Sequence, residues 1–226
     1  MRRGPRLSQE ALQPYLLPTA PPTEGTPQPA TPLDWRVLFG NDAPVELEVG
    51  FGKGLFLLTA AQARPEVNFA GVEIVRKYQL FTATRLAKRG LTNVRVACAD
   101  ARLFLPRVPS ESLQAVHVYF PDPWWKKRHH KRRVFTGEFV AECVRILKPG
   151  GCLHAVTDVE EYAGVMAVLL AEQPCLHLMP TPAENTPIHD LDYLTNFERK
   201  FRKQGKPIHR MSCEKRLSGQ TSHTEG

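Results

Sequence analysis

From residue 45 onward the hydrophobic positions switch repeatedly between a strand-like and a helix-like period. Residues 45–49 are a short β-prone run that ends in glycines, and residues 54–63 are apolar, of helix length, and stop before Pro65. Residues 68–74 read as a second strand. Residues 76–89 are amphipathic, with Lys88 and Arg89 in the last turn and Gly90 just past the end, where a left-handed residue stops a helix. Residues 93–98 and 115–120 read as the third and fourth strands. In residues 137–147, Phe139, Val140, Cys143, Val144, Ile146 and Leu147 recur at helical spacing, closed by Pro149-Gly150-Gly151. Residues 152–157 read as a fifth strand. Thr157-x-x-Glu160 is a capping-box pattern that opens a helix burying Tyr162, Val165, Met166, Leu169 and Leu170.

Strands alternating with helices pair in parallel through right-handed crossovers, which predicts an open α/β sheet. The pattern starts late. Residues 1–34 hold Pro5, Pro14, Pro18, Pro21, Pro22, Pro27, Pro29 and Pro32, and little between Pro18 and Pro32 is large and apolar. Such a segment is expected to be extended or disordered, because burial cannot offset its ordering entropy. The expected organisation is a proline-rich segment over 1–34, one folded domain over 35–216 and a flexible tail over 217–226. The longest apolar run, residues 165–171, is too short to cross a bilayer. Pro14 and Pro18 interrupt the only stretch after Met1-Arg2-Arg3 that resembles a signal peptide.

Composition narrows the class. The chain has 226 residues, 42% hydrophobic and 23% charged, the balance of an ordinary globular protein. Five cysteines, widely spaced and without a C-x-x-C pair, fit neither a zinc site nor a secreted disulfide framework. They read as reduced thiols in a cytoplasmic protein that holds no metal. The net charge of +7 is concentrated in two places. Residues 121–133 carry six Lys or Arg against Asp122, a local +5, and residues 197–216 carry eight against Glu198 and Glu214, a local +6. These two segments sum to +11, so the rest of the chain is −4. A mildly acidic body with two basic segments suits a polyanionic partner, and the second segment reads as a solvated basic helix face or a second RNA surface.

In open α/β sheets, ligands sit beyond the carboxyl ends of the strands. The first strand ends in Glu48-Val49-Gly50-Phe51-Gly52-Lys53-Gly54. A dinucleotide fingerprint needs G-x-G-x-x-G, whereas here the third glycine comes one residue early and an acid stands two before the first. A carboxylate there repels a pyrophosphate and attracts a cation. The second strand ends in Glu73, 23 residues after Gly50, the place of an acid that binds ribose hydroxyls. The third runs into Asp100 and the fourth into Asp122. Four acids at four strand ends describe a nucleoside pocket without phosphate, and S-adenosylmethionine, a nucleoside with a cationic amino-acid tail, matches it. After the fourth strand, Phe120-Pro121-Asp122-Pro123-Trp124-Trp125 leads into Lys126-Lys127-Arg128-His129-His130-Lys131-Arg132-Arg133. Cations interleaved with aromatic faces suit a nucleic acid.

Here the chain resembles the tRNA (guanine-N7-)-methyltransferases. The resemblance rests on Glu48-x-Gly-x-Gly, the turn at residues 120–124, the basic run after it, Thr157-Asp158 and Thr195-Asn196-Phe197-Glu198, and covers residues 45–216. It implies a Rossmann-like S-adenosylmethionine-dependent methyltransferase fold, a mostly parallel sheet with helices on both faces. It implies methyl transfer to N7 of a guanine in the tRNA variable loop. By the family pattern Glu48, Gly50, Gly52, Glu73, Asp100 and Asp122 bind the cofactor, and Asp122 is also the candidate catalytic residue. Lys126, Asp158, Thr195, Asn196, Phe197 and Glu198 contact the substrate, although Thr195–Glu198 also reads as a helix capping box. Trp125, Lys127, Arg128, His129, Lys131 and Arg132 are candidate RNA contacts. Trp125 stands where the family more usually has small or polar residues. Trp125 reads as the stacking candidate and Trp124 as packing into the fold. The expected partner is tRNA, with no membrane, and the protein is expected to be a monomer or homodimer. The alternatives are a methyltransferase acting on an adenine amine, a nicotinamide-dependent oxidoreductase, or a non-catalytic tRNA-binding module on the same fold.

Overall fold

The computed structural model describes residues 7–18, 31–124, 128, 132–180, 195–205 and 207–217. Two short helices, α1 (Gln9–Leu12) and α2 (Trp35–Phe39), precede the alternating region. There β1 (Val45–Val49), α3 (Leu55–Ala63), β2 (Asn68–Glu73), α4 (Arg76–Arg89) and β3 (Val94–Cys98) follow one another. The order continues with α5 (Ala101–Phe104), β4 (Leu113–Tyr119), α6 (Gly137–Ile146), β5 (Leu147–Thr157) and α7 (Glu160–Ala171). It closes with β6 (Leu176–Leu178), α8 (Asn196–Lys203) and β7 (His209–Lys215).

The strands form one sheet in the order β3-β2-β1-β4-β5-β7-β6. Those from β3 to β5 pair in parallel, and β7 runs antiparallel between β5 and β6. This is the open, mostly parallel α/β sheet that the alternation predicts, and it agrees with the Rossmann-like fold that the family resemblance implies. Every residue of β1 and β2 is buried, as expected for parallel strands covered on both faces. Two hydrophobic clusters flank the sheet. One packs Val45, Leu47 and Val49 with Phe139, Val140, Ile146, Tyr162 and Met166 of α6 and α7. The other packs Phe69, Val94 and Val96 with Phe56, Leu57, Ala83 and Leu86 of α3 and α4. Side chains alternate along a strand, so Glu46 and Glu48 turn away from the Val45–Leu47–Val49 face.

Three departures from the sequence reading have local causes. Pro149-Gly150-Gly151 does not end an element but lies within β5. The register jumps from Leu113↔Leu147 to Ala115↔Cys152, a bulge that absorbs the proline and glycines. A Cβ on Gly151 would stand 2.9 Å from the Lys148 carbonyl oxygen and 3.1 Å from those of Leu113 and Gln114, so only glycine fits. Next, α7 starts after Val159 rather than through a Thr157–Glu160 box, and the Thr157 hydroxyl instead accepts from the Val159 amide at 3.3 Å. The basic segment 197–216 is not one helix face. It divides into α8 and the interior strand β7, where Cys213 is buried against the core.

The fourth difference concerns residues 1–34. Ser8 caps α1, and Leu12, Tyr15, Leu17 and Leu33 are buried. Leu16 bridges Val96 of β3, and the Leu17 amide donates to the Val96 carbonyl at 3.0 Å. Arg107, itself 9% exposed, donates to the Pro18 and Thr31 carbonyls at 2.8 and 3.3 Å. These apolar residues find burial on the sheet that their proline-rich surroundings conceal. Residues 7–18 thereby cover the β3 edge, which otherwise presents unpaired backbone groups. Residues 19–30 and 218–226 lie outside the described residues.

Candidate active site

The strand order reverses direction between β1 and β4, and at that point crevices open at the carboxyl ends of a doubly wound sheet. The loop after β1 is shaped by Gly50, Gly52 and Gly54, with φ of +79°, +51° and +66°. All three are left-handed, a conformation glycine adopts without steric cost. Gly54 has a second reason, because a Cβ there would lie 2.3 Å from Thr82 Cγ2 on α4. At Gly50 and Gly52 a Cβ would meet nothing within 4 Å, which leaves the loop backbone open to a ligand.

A cavity of about 440 Å³ spans the ends of β1, β2, β3 and β4, lined among others by Gly50, Glu73, Asp100, Asp122, Trp124 and Arg132. A second, of about 260 Å³, shares Gly50, Gly52, Tyr78 and Tyr119 with it and adds Glu48, Phe56, Thr195 and Lys200. The four predicted acids therefore converge on one adjoining pair of cavities. Glu73 accepts from the Gly52 amide through Oε2 and from the Val75 amide through Oε1, both at 2.9 Å, and so ties the two loops together. Asp100 caps α5 by accepting from the Arg102 amide, and forms an ion pair with the Arg102 side chain at 2.6 Å. That hydrogen-bonded pairing holds its carboxyl below the usual range.

Glu48 is different. It is 2% exposed, and its Oε2 finds no hydrogen-bond partner among the described residues. Burial, and secondly the nearby Glu73, push its carboxyl up to about 8. A buried carboxyl with one unpartnered oxygen, in a cavity wall, is costly to ionise until a cation arrives.

The turn after β4 is strained on both sides of Asp122. Phe120 has φ +51° and Trp124 φ +44°, left-handed values that cost a bulky residue energy and cluster at functional sites. The turn is held by the Phe120 amide, which donates to the Val156 carbonyl at 2.7 Å, and by Arg133 Nε, which donates to that of Pro123 at 2.7 Å. Asp122 is exposed at the cavity rim. Trp124 lines the cavity rather than the core, contrary to the sequence reading. Arg132 lies over its ring, guanidinium to centroid 5.1 Å. Arg128 and Arg132 are exposed. Trp125, Lys126, Lys127, His129 and Lys131 lie outside the described residues.

The remaining predicted residues separate. The Thr195 hydroxyl accepts from the Glu198 amide at 3.1 Å, so the capping reading holds, and Thr195 also lines the smaller cavity. The Glu198 carboxylate is buried and forms ion pairs through Oε1 with Arg202 at 3.0 Å and with Arg210 of β7, which join α8 to the sheet. Asp158 is half-buried just past the end of β5 and lines neither cavity. Asn196 and Phe197 open α8, and their side chains lie outside the described residues.

One constellation escaped the sequence reading. Under the cavities, Glu46 accepts two hydrogen bonds from Arg64, at 2.6 and 2.9 Å, and lies 2.9 Å from His117 Nε2. His117 Nδ1 is 2.8 Å from the Tyr119 hydroxyl, and the imidazole stacks on His154 at 5.1 Å. His154 in turn reaches Ser212 Oγ at 2.9 Å. Burial alone would raise Glu46, but the hydrogen bonds from His117 and Arg64 outweigh it and bring its carboxyl down to about 2. Burial keeps His117 below its ordinary value, hence neutral. A neutral ring beside an ionised Glu46 donates from Nε2 and accepts the Tyr119 proton at Nδ1. The two-residue spacing of Glu46 with Glu48 and of His117 with Tyr119 is the one sequence signal that places them on a common face.

The lining fits a nucleoside with a cationic tail. An orphaned carboxyl oxygen awaits positive charge, two glycines expose backbone, and acids stand at the ends of β2 and β3. Among the described residues, no group of three or more His, Cys, Asp or Glu could hold a metal ion. Nor is any helix among them long and apolar enough to cross a membrane. In structure the chain is similar to the 16S rRNA methyltransferase KamB, with a TM-score of 0.55 at 14% identity, over 77% of this chain and 88% of that one. It is similar also to a 30S ribosomal A1408 methyltransferase from an uncultured bacterium, with a TM-score of 0.54 at 14% identity, over 79% and 91%. Both likenesses concern the fold. In sequence, residues 42–211 match a family described as "Putative methyltransferase". A tRNA (guanine-N(7)-)-methyltransferase of Rhodopirellula baltica is 47% identical over 195 residues, which are 83% of this chain and 72% of the relative. One of Sodalis glossinidius is 38% identical over 209 residues, 92% and 87% of the two chains. With such identity over most of both chains, this protein belongs to the tRNA (guanine-N7-)-methyltransferase family.

Proposed function

We propose that this protein methylates N7 of a guanine in the variable loop of tRNA, with Asp122 beside the reacting ring. Family membership makes it an S-adenosylmethionine-dependent enzyme that transfers a methyl group to guanine N7 in tRNA. The observation that carries the site assignment is the convergence of Glu48, Glu73, Asp100 and Asp122 on adjoining cavities whose fourth wall is the strained turn. S-adenosylmethionine supplies an electrophilic methyl group on a cationic sulfur. Glu48 faces the cationic tail, Glu73 the ribose hydroxyls and Asp100 the base edge. Arg128 and α8 face the RNA backbone, Thr195 and Asp158 hold the substrate side of the site, and binding weakens steeply with salt.

N7 carries a free lone pair and no proton, so attack needs no base. The enzyme's part is to hold nucleophile and methyl group in line and to stabilise the positive charge that reaches the purine. Asp122, exposed at the rim, does the second as a carboxylate and removes no proton. The reading places the protein in the cytoplasm as a monomer or homodimer. Incubation with labelled S-adenosylmethionine and unmodified tRNA, followed by nucleoside analysis, should give N7-methylguanosine at a variable-loop position. Label on an adenine would refute it. Asp122→Asn should lower the single-turnover rate at saturating tRNA, and an unchanged rate in that variant would count against the charge-stabilising role.

A further inference from the structure

The contact between Trp124 and the exposed Arg132 lies at the rim of the reactive cavity, which both residues line. The two residues share that cavity with Asp122, Glu73 and Gly50. The Arg133–Pro123 hydrogen bond braces the backbone just before Trp124, which itself has a positive φ. Arg132, by contrast, is an exposed residue on a long side chain. A planar guanidinium lying over an indole occupies the place a stacked purine would take. We propose that the face of Trp124 covered by Arg132 is the platform for the target guanine, and that Arg132 is a placeholder that yields the face to the base and competes for it again after transfer. The proposal rests on the guanine-N7 reading of the site.

The chemistry makes this more than a stacking shelf. The N7 lone pair forms the bond to the methyl carbon while the carbon–sulfur bond breaks and its electron pair stays on sulfur. No proton moves. The positive charge therefore disappears from sulfur and appears on the purine. An indole attracts a cation through its ring quadrupole more strongly than the other aromatic side chains do. The attraction grows as charge arrives, so Trp124 stabilises the transition state beyond the ground state and acts on the rate. A neutral base displaces Arg132 because base–aromatic stacking exceeds an exposed cation–π contact by about tenfold in binding. The methylated base is itself a cation held by the ring, which would slow release. The displaced guanidinium, at the rim of the same cavity, repels that cation and contends for the same face.

The test uses the full-length protein, unmodified tRNA, and tRNA already methylated by the wild type. For Trp124→Leu, the single-turnover rate at saturating tRNA should fall about tenfold or more while tRNA affinity changes by less than about threefold, with Trp124→Phe in between. For Arg132→Ala, the ratio of methylated to unmethylated tRNA affinity should rise about fivefold, and a burst should precede a slower steady state. If Trp124→Leu and Trp124→Phe weaken tRNA binding alone and leave the single-turnover rate intact, the charge-sensing role is wrong. If Arg132→Ala weakens both tRNAs alike, Arg132 is a phosphate contact and no placeholder. Absence of N7-methylguanosine from the wild-type reaction would refute the underlying function, whereas N7-methylguanosine with unresponsive variants would refute this proposal alone.

Discussion

Glu48→Gln should make the unliganded protein more stable and its cofactor site worse. The folded protein holds the Glu48 proton up to a pH of about 8, because the carboxyl is buried and Glu73 is near, whereas a free glutamate releases it at 4.5. Between those values the unfolded chain loses a proton that the folded chain keeps, so stability falls by about 1.4 kcal/mol per pH unit. At pH 7 the gap from 4.5 is about 2.5 units, a cost of roughly 3.4 kcal/mol as an upper bound. Glutamine removes the titration but buries amide donors in the same unpartnered place, which takes back about 1–3 kcal/mol. The net gain is on the order of 1 kcal/mol, or roughly 2–4 °C in Tm for a chain of this size. Denaturant unfolding of both proteins across pH 5 to 8 reads the effect. The difference between them should grow with pH through this window and level off above it. Calorimetry should find S-adenosylmethionine bound about ten- to a hundredfold more weakly by the variant, with fewer protons released. A stability difference that stays constant from pH 5 to 8 would refute the reasoning, since it would mean that the carboxyl is ionised throughout.

Glu46→Gln should do the opposite. It breaks a buried pair, and with Arg64 side-chain exposure at 39% the cost should be about 2–3 kcal/mol rather than the full value of an enclosed pair. Because the folded Glu46 carboxyl sits at about 2, the wild-type advantage should be complete above pH 4.5 and vanish as pH falls toward 2, which acid titration of unfolding would follow. Gly54→Ala should cost about 2–4 kcal/mol from φ strain and the clash with Thr82, and adding Thr82→Ala should recover the clash but not the strain, a pattern that denaturant midpoints resolve. Arg107→Ala should release the strap over β3 at a cost of about 2–3 kcal/mol, with faster hydrogen exchange at the Leu17 amide. Unchanged exchange there would show that Leu12, Tyr15 and Leu17 hold the segment unaided.

The parallel half of the sheet was legible because its strands carry the signals that parallel pairing needs. These are the full burial of β1 and β2, glycines at the carboxyl end of β1 and Gly90 at the close of α4. The acids at the strand ends were legible for the same reason, since topology alone decides that strand ends converge. The antiparallel half was not. β7 carries His209, Met211, Cys213 and Lys215 on one face and Arg210, Ser212 and Glu214 on the other, so its inward positions are scarcely more apolar than its outward ones, and its charge reads as a helix surface. The order of its neighbours depends on pairing across long sequence separations that no local period records. The polar set Glu46–His117–Tyr119 was hidden by its setting. Charged residues inside a buried strand look like exceptions until the partners from neighbouring strands are known. Trp124 was misassigned because neither its left-handed φ nor the cavity that its ring lines can be read from composition.

The left-handed angles at Phe120 and Trp124 have a consequence for any attempt to improve this protein by selection. Strain at these positions lowers the stability of the fold whether or not a substrate is present, and so does the orphaned oxygen of Glu48. A library sorted for heat resistance alone would therefore enrich replacements at 48, 120 and 124 ahead of ordinary surface positions. Its winners would be durable and idle. Read in reverse, the positions where replacement by glycine, asparagine or glutamine raises Tm most would trace the outline of the methyl-transfer site with no assay for methylation.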